Sequence, residues 1–259
     1  MRPTTCVTLA TVDDVRLSAT FSQADEAGLA VVVAHGFTGS SRNRAVRRIT
    51  NQIVEAGVSV LAIDFRGHGR SAGLSTAGDL EVHDVAAAVA WLRAEGFRRV
   101  AVLGWSMGGS VVLRYAGLGG DADAVVSVSS PGMWFERGTR SMRVVHWLCE
   151  TRSGRLSCRV LRGTRLSPAG WVEVPEAPAE VVGRIAPTPL LIVHGDADHY
   201  FPPRHVEALA SAAPDAQVWI EAGMGHAETA TTPELLARII SWVRTVIETD
   251  RVWDDGVRE

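Results

Sequence analysis

Residues 104–108 have the spacing needed for nucleophilic chemistry. They read Gly-Trp-Ser-Met-Gly, the G-x-S-x-G pattern of a serine on a sharp turn between a strand and a helix. Glycine has no Cβ, so glycines beside such a strained turn avoid steric clashes while the serine hydroxyl is pushed outward. The pattern predicts Ser106 as a nucleophile. An ordinary glycine-rich turn is the alternative that these five residues alone leave open.

A serine nucleophile needs two partner side chains from elsewhere in the chain. Its hydroxyl is a weak nucleophile near neutral pH, so a base must accept its proton and a third group must hold the base. His226 lies in the glycine-rich stretch 223–226, and Asp196 and Asp198 directly follow the apolar run 190–193. We predict His226 as the general base, with Asp196 and Asp198 as the two candidates for the acid.

Apolar runs that alternate with helical patterns predict the elements that hold these loops. A continuous apolar run is typical of a strand that helices cover on both sides. Residues 29–34 form such a run, and further strands are predicted at 58–63, 100–104, 124–128, 190–193 and 217–220. Alternation of strands and helices indicates a mostly parallel sheet, which binds its ligand at the carboxyl ends of the strands.

Local signals predict where several elements begin. Residues 7–12 and 15–22 have strand character and are joined by the turn-forming pair at 13–14, so an antiparallel hairpin is expected at the start of the chain. Asp79 is predicted to cap the helix that follows it, and Thr232 to cap the last helix.

With these motifs the chain resembles the α/β-hydrolase superfamily, close to its small esterase, lipase and serine-aminopeptidase-like members. The resemblance covers residues 29–242 apart from 131–185. It implies an α/β-hydrolase fold over residues 1–259 as one domain, with a mostly parallel eight-stranded sheet and helices on both faces. It also implies that 131–185 is a short lid insertion after the sixth strand, and that the enzyme needs no cofactor.

The resemblance also assigns the remaining catalytic groups. In relatives with the pattern His-Gly-x-x-Asp-x-x-x-Pro, which occurs here at 194–202, the second acidic residue is the triad acid, so Asp198 is preferred to Asp196. The chain order serine, aspartate, histidine is that of the superfamily. The N–H of Met107, directly after the nucleophile, and the N–H of Phe37 are predicted to form the oxyanion hole.

The segment 131–171 differs in charge from the rest of the chain. It contains eight arginines against two glutamates, a net charge of +6, while the remainder of the chain carries −9. Such asymmetry would attract anionic substrates or an acidic surface. The alternative, which we prefer at this stage, is a solvated arginine-rich face that pairs with the acidic body. The aromatic residues Trp134 and Phe135, together with Trp105 in the elbow, are predicted to line the substrate pocket.

Composition excludes several classes of protein. The net charge of −3 argues against a nucleic-acid partner, and 46% hydrophobic residues argue against a disordered chain. Three cysteines without paired spacing predict neither a disulfide framework nor a zinc site, and the polar residues within 194–199 are explained without a metal. No apolar stretch reaches a membrane-spanning length and no signal peptide is recognised, so a cytoplasmic protein is expected, with homodimer formation left open.

The expected function is hydrolysis of a small-molecule carboxylic ester through an acyl-enzyme intermediate. Acyl thioesters, amides or peptides, and acyl transfer use the same residues, so they remain alternatives within the fold. A binder or receptor that keeps the hydrolase shape is the alternative from another class. Epoxide hydrolases and haloalkane dehalogenases need a carboxylate nucleophile at the elbow, and residue 106 is serine. The natural substrate, acyl length and leaving group are not specified by the triad.

Overall fold

The computed structural model describes residues 4–24 and 28–256, with side chains up to residue 249. Its centre is an eight-stranded sheet of order β1-β2-β4-β3-β5-β6-β7-β8. The strands are β1 (Thr5–Ala10), β2 (Arg16–Ser22), β3 (Leu29–Ala34), β4 (Ser59–Ile63), β5 (Arg99–Trp105), β6 (Ala124–Val128), β7 (Leu190–Gly195) and β8 (Gln217–Glu221). Strand β2 is antiparallel to both of its neighbours, and every other adjacent pair is parallel. The predicted opening hairpin and the mostly parallel sheet are confirmed.

Helices cover both faces of the sheet, as the buried apolar strands require. They are α1 (Arg44–Glu55), α2 (Val82–Ala94), α3 (Met107–Gly117), α4 (Arg140–Glu150), α5 (Arg152–Arg162), α6 (Pro178–Val181), α7 (Arg204–Ala212), α8 (Ala227–Ala230) and α9 (Pro233–Gly256), with a 3-10 turn at Val182–Arg184. Helices α1 and α9 pack on one face, and α2, α3 and α7 on the other. Among the described residues, no helix combines the length and apolar character that crossing a lipid bilayer demands.

One predicted helix cap is wrong and another is right. Asp79 does not cap α2, because Glu81 occupies that position and makes no side-chain cap. The buried Glu81 carboxylate instead accepts hydrogen bonds from the N–H groups of Thr76 and Gly78, both at 2.9 Å, and so fixes the preceding loop. Thr232 does begin α9, since its hydroxyl accepts the N–H of Leu235 at 3.2 Å.

The strand order places the candidate site. Strand β3 is followed by β4 on one side of it, and the chain then crosses over to β5 on its other side. The strand order reverses at this point, which opens a crevice at the carboxyl end of the sheet. The loop after β3 and the turn after β5 meet at this crevice. The connection from β6 to β7, residues 131–185, contains α4, α5 and α6 and lies over the same end of the sheet.

Candidate active site

Ser106 sits on a strained turn between β5 and α3. Its φ and ψ of 51° and −119° fall in a region that side chains rarely adopt. The flanking glycines permit the turn: a Cβ at Gly104 would overlap the carbonyl group of Gly108, and a Cβ at Gly108 would overlap the carbonyl group of Ala34. The sequence therefore holds the Ser106 hydroxyl at the sheet edge by removing every Cβ that would force the turn open.

The structure brings Ser106, His226 and Asp198 into one hydrogen-bonded line. The Ser106 hydroxyl donates to Nε2 of His226 at 2.9 Å, and Nδ1 of His226 donates to Oδ2 of Asp198 at 2.8 Å. Burial would raise the pKa of Asp198, but the bond from His226 and the N–H groups of Tyr200 and Phe201 outweigh it and hold that pKa below its ordinary value. The carboxylate is therefore ionised and orients the imidazole.

The second acidic candidate lies elsewhere in the same loop. Asp196 is exposed, and its carboxylate accepts the N–H of Gly223 at 2.6 Å. His194 is buried and its Nε2 bonds to the carbonyl oxygen of Phe201 at 3.0 Å. Geometry thus separates the two carboxylates: Asp198 contacts the histidine, whereas Asp196 ties two loops together.

Aromatic rings enclose the His226 imidazole. The Tyr200 ring stacks on it with centroids 4.2 Å apart and an interplanar angle of 29°, and the Phe201 ring meets it edge-on at 5.5 Å. Contacts on two sides restrict rotation of the imidazole, so Nε2 stays directed at Ser106 and Nδ1 at Asp198.

The loop after β3 contains a backbone N–H without a hydrogen-bond partner near Ser106. Gly36 donates its N–H to Oε1 of Glu228 at 2.6 Å, and Thr38 donates its N–H to Nε2 of His68 at 3.3 Å. Within residues 4–24 and 28–256, the N–H groups of Phe37 and Met107 have no hydrogen-bond partner. These are the two predicted oxyanion donors. Both groups are therefore free to donate to a bound molecule.

Two buried histidines support this loop from below. His35 accepts the N–H of Phe65 at Nε2 (3.2 Å) and donates from Nδ1 to the Gly36 carbonyl oxygen (2.7 Å), while Nδ1 of His68 donates to the Arg66 carbonyl oxygen (3.0 Å). Each ring uses one nitrogen as donor and one as acceptor, which is possible only for neutral imidazole. Burial lowers the pKa of His35 to about 3 and also lowers that of His68.

We expect His35 to make the fold sensitive to acid. Its folded-state pKa of about 3 lies below the ordinary value of 6.5, so between these values the unfolded chain takes up a proton that the folded chain does not. The contribution is present above pH 6.5 and is lost as pH falls. From pH 7 to pH 5 it lowers the free energy of unfolding by about 2 kcal/mol.

Urea unfolding of the parent and of His35→Gln at pH 7 and pH 5 measures the contribution of His35 to the free energy of unfolding. Between pH 7 and pH 5 the free energy of unfolding should fall by about 2 kcal/mol more in the parent than in the variant. This difference does not depend on how stable the variant is at pH 7. The same loss in both proteins would contradict the assignment.

Glu228 is a site residue that sequence reasoning missed. Its carboxylate accepts the Gly36 N–H, lines the cavity over Ser106, and has a pKa that burial raises. Nη2 of Arg48 donates to the backbone carbonyls of Glu228 (2.9 Å) and Thr231 (2.7 Å), so α1 holds the same turn. In the sequence Glu228 is marked out by nothing but its position two residues after His226. Neither periodicity nor spacing distinguishes this glutamate from the other acidic residues.

A cavity of about 720 Å³ lies between the triad and the 131–185 segment. Trp134 and Phe135 line it, where the sequence analysis placed them. Trp105 does not, and this prediction was wrong. In β5 it points to the same face as Ala101 and Leu103, is fully buried against the α1 and α9 side, and donates Nε1–H to Oγ1 of Thr231 at 2.9 Å. Successive side chains of a strand point to opposite faces, so Trp105 faces the core although it is next to Ser106 in sequence.

The 131–185 segment is fastened to the body by polar contacts around the cavity. The indole N–H of Trp134 donates to the Pro175 carbonyl oxygen at 2.7 Å, and that of Trp171 to the Thr76 carbonyl oxygen at 2.6 Å. The buried carboxylate of Glu136 accepts Nε2–H of His205 at 3.0 Å and also pairs with Arg204.

The remaining walls of the cavity are mostly apolar. They include Met133, Met142, Val145, Leu148, Trp171 and Tyr200. In the described part of the chain, no three His, Cys, Asp or Glu side chains cluster as metal ligands would.

Two sequence comparisons relate this chain to known proteins. A family model of the α/β-hydrolase fold matches residues 30–154. The uncharacterized protein YfhR of Escherichia coli strain K12 is 27% identical over 196 residues, which are 73% of this chain and 60% of YfhR. The chain therefore matches less than two thirds of the length of that relative.

Solved structures superpose over nearly the whole chain. The esterase Pf2001 of Pyrococcus furiosus is 25% identical with a TM-score of 0.72, covering 94% of this chain and 92% of its own. The α/β hydrolase GrgF of Penicillium sp. sh18 is 18% identical with a TM-score of 0.78, covering 95% and 99%. A serine hydrolase without a lid from Xanthomonas campestris is 18% identical with a TM-score of 0.63, covering 96% and 95%. The family model over residues 30–154, the eight-stranded sheet and these superpositions show that this chain has the α/β-hydrolase fold.

Proposed function

We propose that this protein is a serine hydrolase that cleaves carboxylic esters through an acyl-enzyme intermediate. The observation that carries the proposal is the line of hydrogen bonds from Asp198 through His226 to Ser106, 2.8 and 2.9 Å long, at one end of a cavity of about 720 Å³. The likeness to the Pyrococcus furiosus esterase supports ester cleavage over other acyl substrates.

Acylation begins at the Ser106 hydroxyl. As its oxygen bonds to the ester carbonyl carbon, its proton passes to Nε2 of His226, and Asp198 stabilises the imidazolium that forms. The carbonyl oxygen becomes an oxyanion that accepts the N–H groups of Phe37 and Met107. The ester C–O bond then breaks, and Nε2 of His226 returns the proton to the departing alkoxide, so an alcohol leaves and the acyl group stays on Ser106.

Deacylation repeats these steps with water. His226 accepts a proton from water as the water oxygen attacks the acyl carbon, and the same two N–H groups bind the second oxyanion. The bond between the acyl carbon and the Ser106 oxygen breaks, the serine oxygen takes the proton from His226, and the carboxylic acid leaves. Both half-reactions use the same three side chains.

The 131–185 segment acts as the lid of this enzyme and shapes the acyl or aryl subsite. Trp134, Phe135 and Trp171 form a connected aromatic wall, with Trp171 centroids 5.2 Å from Trp134 and 5.8 Å from Phe135. A wall of this kind suits an apolar acyl or aryl group, because transfer of such a group from water to the cavity is favourable. The substrate class that fits is an apolar carboxylic ester.

A fluorophosphonate probe tests the proposal directly, because it reacts with a serine only where base and oxyanion hole are assembled. We expect stoichiometric labelling of the parent, with the adduct mapped by mass spectrometry to Ser106 and absent from Ser106→Ala. A parallel series of p-nitrophenyl esters and acyl-CoA thioesters of graded length should show oxyesters as the better substrates. No labelling of Ser106 would indicate a binder with a hydrolase fold, and faster thioester cleavage would indicate a thioesterase.

We expect Glu228 to act as a positioning residue for the oxyanion loop. Glu228→Ala removes the acceptor of the Gly36 N–H, and the adjacent Phe37 N–H then loses its fixed direction. Misplacing one catalytic donor costs kcat on the order of 10²-fold. Because the lost interaction forms with the transition state and not with the bound ester, KM should change little.

Glu228→Gln is the matched control, since its amide oxygen accepts the same N–H. It should keep most of the parent kcat. Equal losses in Glu228→Gln and Glu228→Ala would show instead that the negative charge, and not the hydrogen bond, is what the site uses.

A further inference from the structure

Exposed apolar side chains are concentrated on the 131–185 segment. Thirteen large hydrophobic side chains are exposed in the described part of the chain, and eight of them lie in this segment, which is about a fifth of the sequence. Leu156, Val160 and Leu161 are 63%, 72% and 77% exposed, and Trp147 is 43% exposed. Single exposed hydrophobic residues need no explanation, but a concentration of them marks an interaction surface.

Arginines are interleaved with these side chains at helical spacing. Arg143 lies four residues before Trp147 on α4, and Arg152 lies four before Leu156 on α5, so each pair shares one side of its helix. We define the outer face of α4 and α5 by eight residues: Arg140, Arg143, Trp147, Arg152, Leu156, Arg159, Val160 and Leu161. Within residues 4–24 and 28–256, no ion pair joins any of these four arginines to an acidic side chain.

The same two helices roof the cavity. Met142, Val145 and Leu148 of α4 point into it, and α5 packs against α4 so closely that a Cβ at Gly154 would overlap the carbonyl group of Trp147. Cys158 is fully buried on the inner side of α5. The four arginines of the outer face therefore point away from the acidic remainder of the chain and, among the described residues, do not pair with it. They stand in solvent among apolar side chains, directly above the candidate active site.

We propose that the outer face of α4 and α5 binds the surface of an anionic lipid bilayer. A helical surface that mixes arginines with exposed Leu, Val and Trp inserts its apolar groups at the headgroup boundary while the guanidinium groups contact lipid phosphates. Arginine stems lie along apolar surface with the charge in water, and Trp prefers the interface. The net charges of +6 on 131–171 and −9 on the remainder orient the molecule with this face toward the lipid.

A second copy of the chain fits this face less well. A two-fold dimer would bring the same four arginines of both copies together, and like charges across an interface repel each other. The face is built from two short helices, so it has no unpaired strand edge to which an extended peptide could hydrogen-bond. A bilayer offers phosphate groups for the arginines and, just below them, acyl chains for the exposed apolar side chains.

Vesicle flotation tests the proposal on the full chain carrying Ser106→Ala, so lipid cleavage plays no part and the outcome is independent of the ester hydrolase assignment. We expect binding to vesicles of phosphatidylcholine with phosphatidylglycerol, weaker binding at high salt, and little binding to phosphatidylcholine alone. Adding Arg152→Gln and Arg159→Gln should lower the partition coefficient roughly 30-fold. Adding Leu156→Ser and Val160→Ser instead should lower it roughly tenfold.

The matched control replaces two exposed arginines of α1, Arg44→Gln and Arg47→Gln, which changes the net charge equally on another face. This control should bind vesicles nearly as well as the parent. The proposal is overturned by any of three results: no flotation with anionic vesicles, an equal loss in the α1 control, or a dimer in solution that the Leu156 and Val160 substitutions dissociate.

Discussion

Replacing Ser106 with alanine is expected to lower kcat for an activated aryl ester on the order of 10⁶-fold. The variant has no atom that can form the acyl-enzyme, and only binding and the oxyanion donors are left to act on the ester. Its thermal unfolding temperature should stay close to that of the parent, because the hydroxyl bonds to His226 and to no group of the core. Stopped assays with p-nitrophenyl acetate, together with circular dichroism melts, measure both quantities.

Ser110→Ala is the control for this experiment. Ser110 lies on the same helix four residues further on, and its hydroxyl donates to the Met107 carbonyl oxygen at 2.7 Å instead of to a catalytic side chain. It should keep most of the parent rate. If Ser106→Ala hydrolysed the ester at the rate of Ser110→Ala, the nucleophile would be a different group and the acyl-enzyme scheme would be wrong.

Asp198→Asn is expected to lower kcat about 10⁴-fold with little change in stability. The asparagine amide would donate a proton toward Nδ1 of His226, so the neutral ring would carry its own proton on Nε2. That tautomer cannot accept the Ser106 proton, and the imidazolium would also lose its counter-charge. The loss should fall on kcat more than on KM, since Asp198 is not among the residues that line the cavity.

Asp196→Asn separates this effect from a general change in the loop. Both residues follow β7, but the Asp196 carboxylate is exposed and, among the described residues, accepts a hydrogen bond from the Gly223 N–H alone. We expect its rate to stay within about tenfold of the parent, as for an exposed loop contact. Equal losses in the two variants would mean that either carboxylate can orient His226 and that the observed geometry does not determine the rate.

The elements that carry the site follow from local patterns in the sequence. The apolar runs before Ser106 and Asp198 place both residues at strand ends, and only a glycine-flanked turn accommodates Ser106. Residue types alone did not separate Asp196 from Asp198; the resemblance to a family did. The coordinates separate them by hydrogen bonding, which depends on how the loop after β7 meets the loop after β8.

Other features depend on tertiary contacts that no local pattern encodes. Trp105 faces the core because side chains alternate along the strand, although its neighbour in sequence is Ser106, the proposed nucleophile. The bond from Glu228 to Gly36 joins residues 192 positions apart. The exposure of Leu156 and Val160 also had to come from coordinates, because a helical pattern of apolar residues reads the same whether it meets a protein core or solvent.

The indole of Trp105 reaches under the sheet edge to Thr231, a few residues beyond His226, while its own backbone leads into Ser106. This bond connects the strand that ends at Ser106 with the turn after His226 from the interior of the molecule. Neither Trp105 nor Thr231 belongs to the 131–185 segment, so exchanging or shortening that segment to reshape the cavity would leave this bond in place.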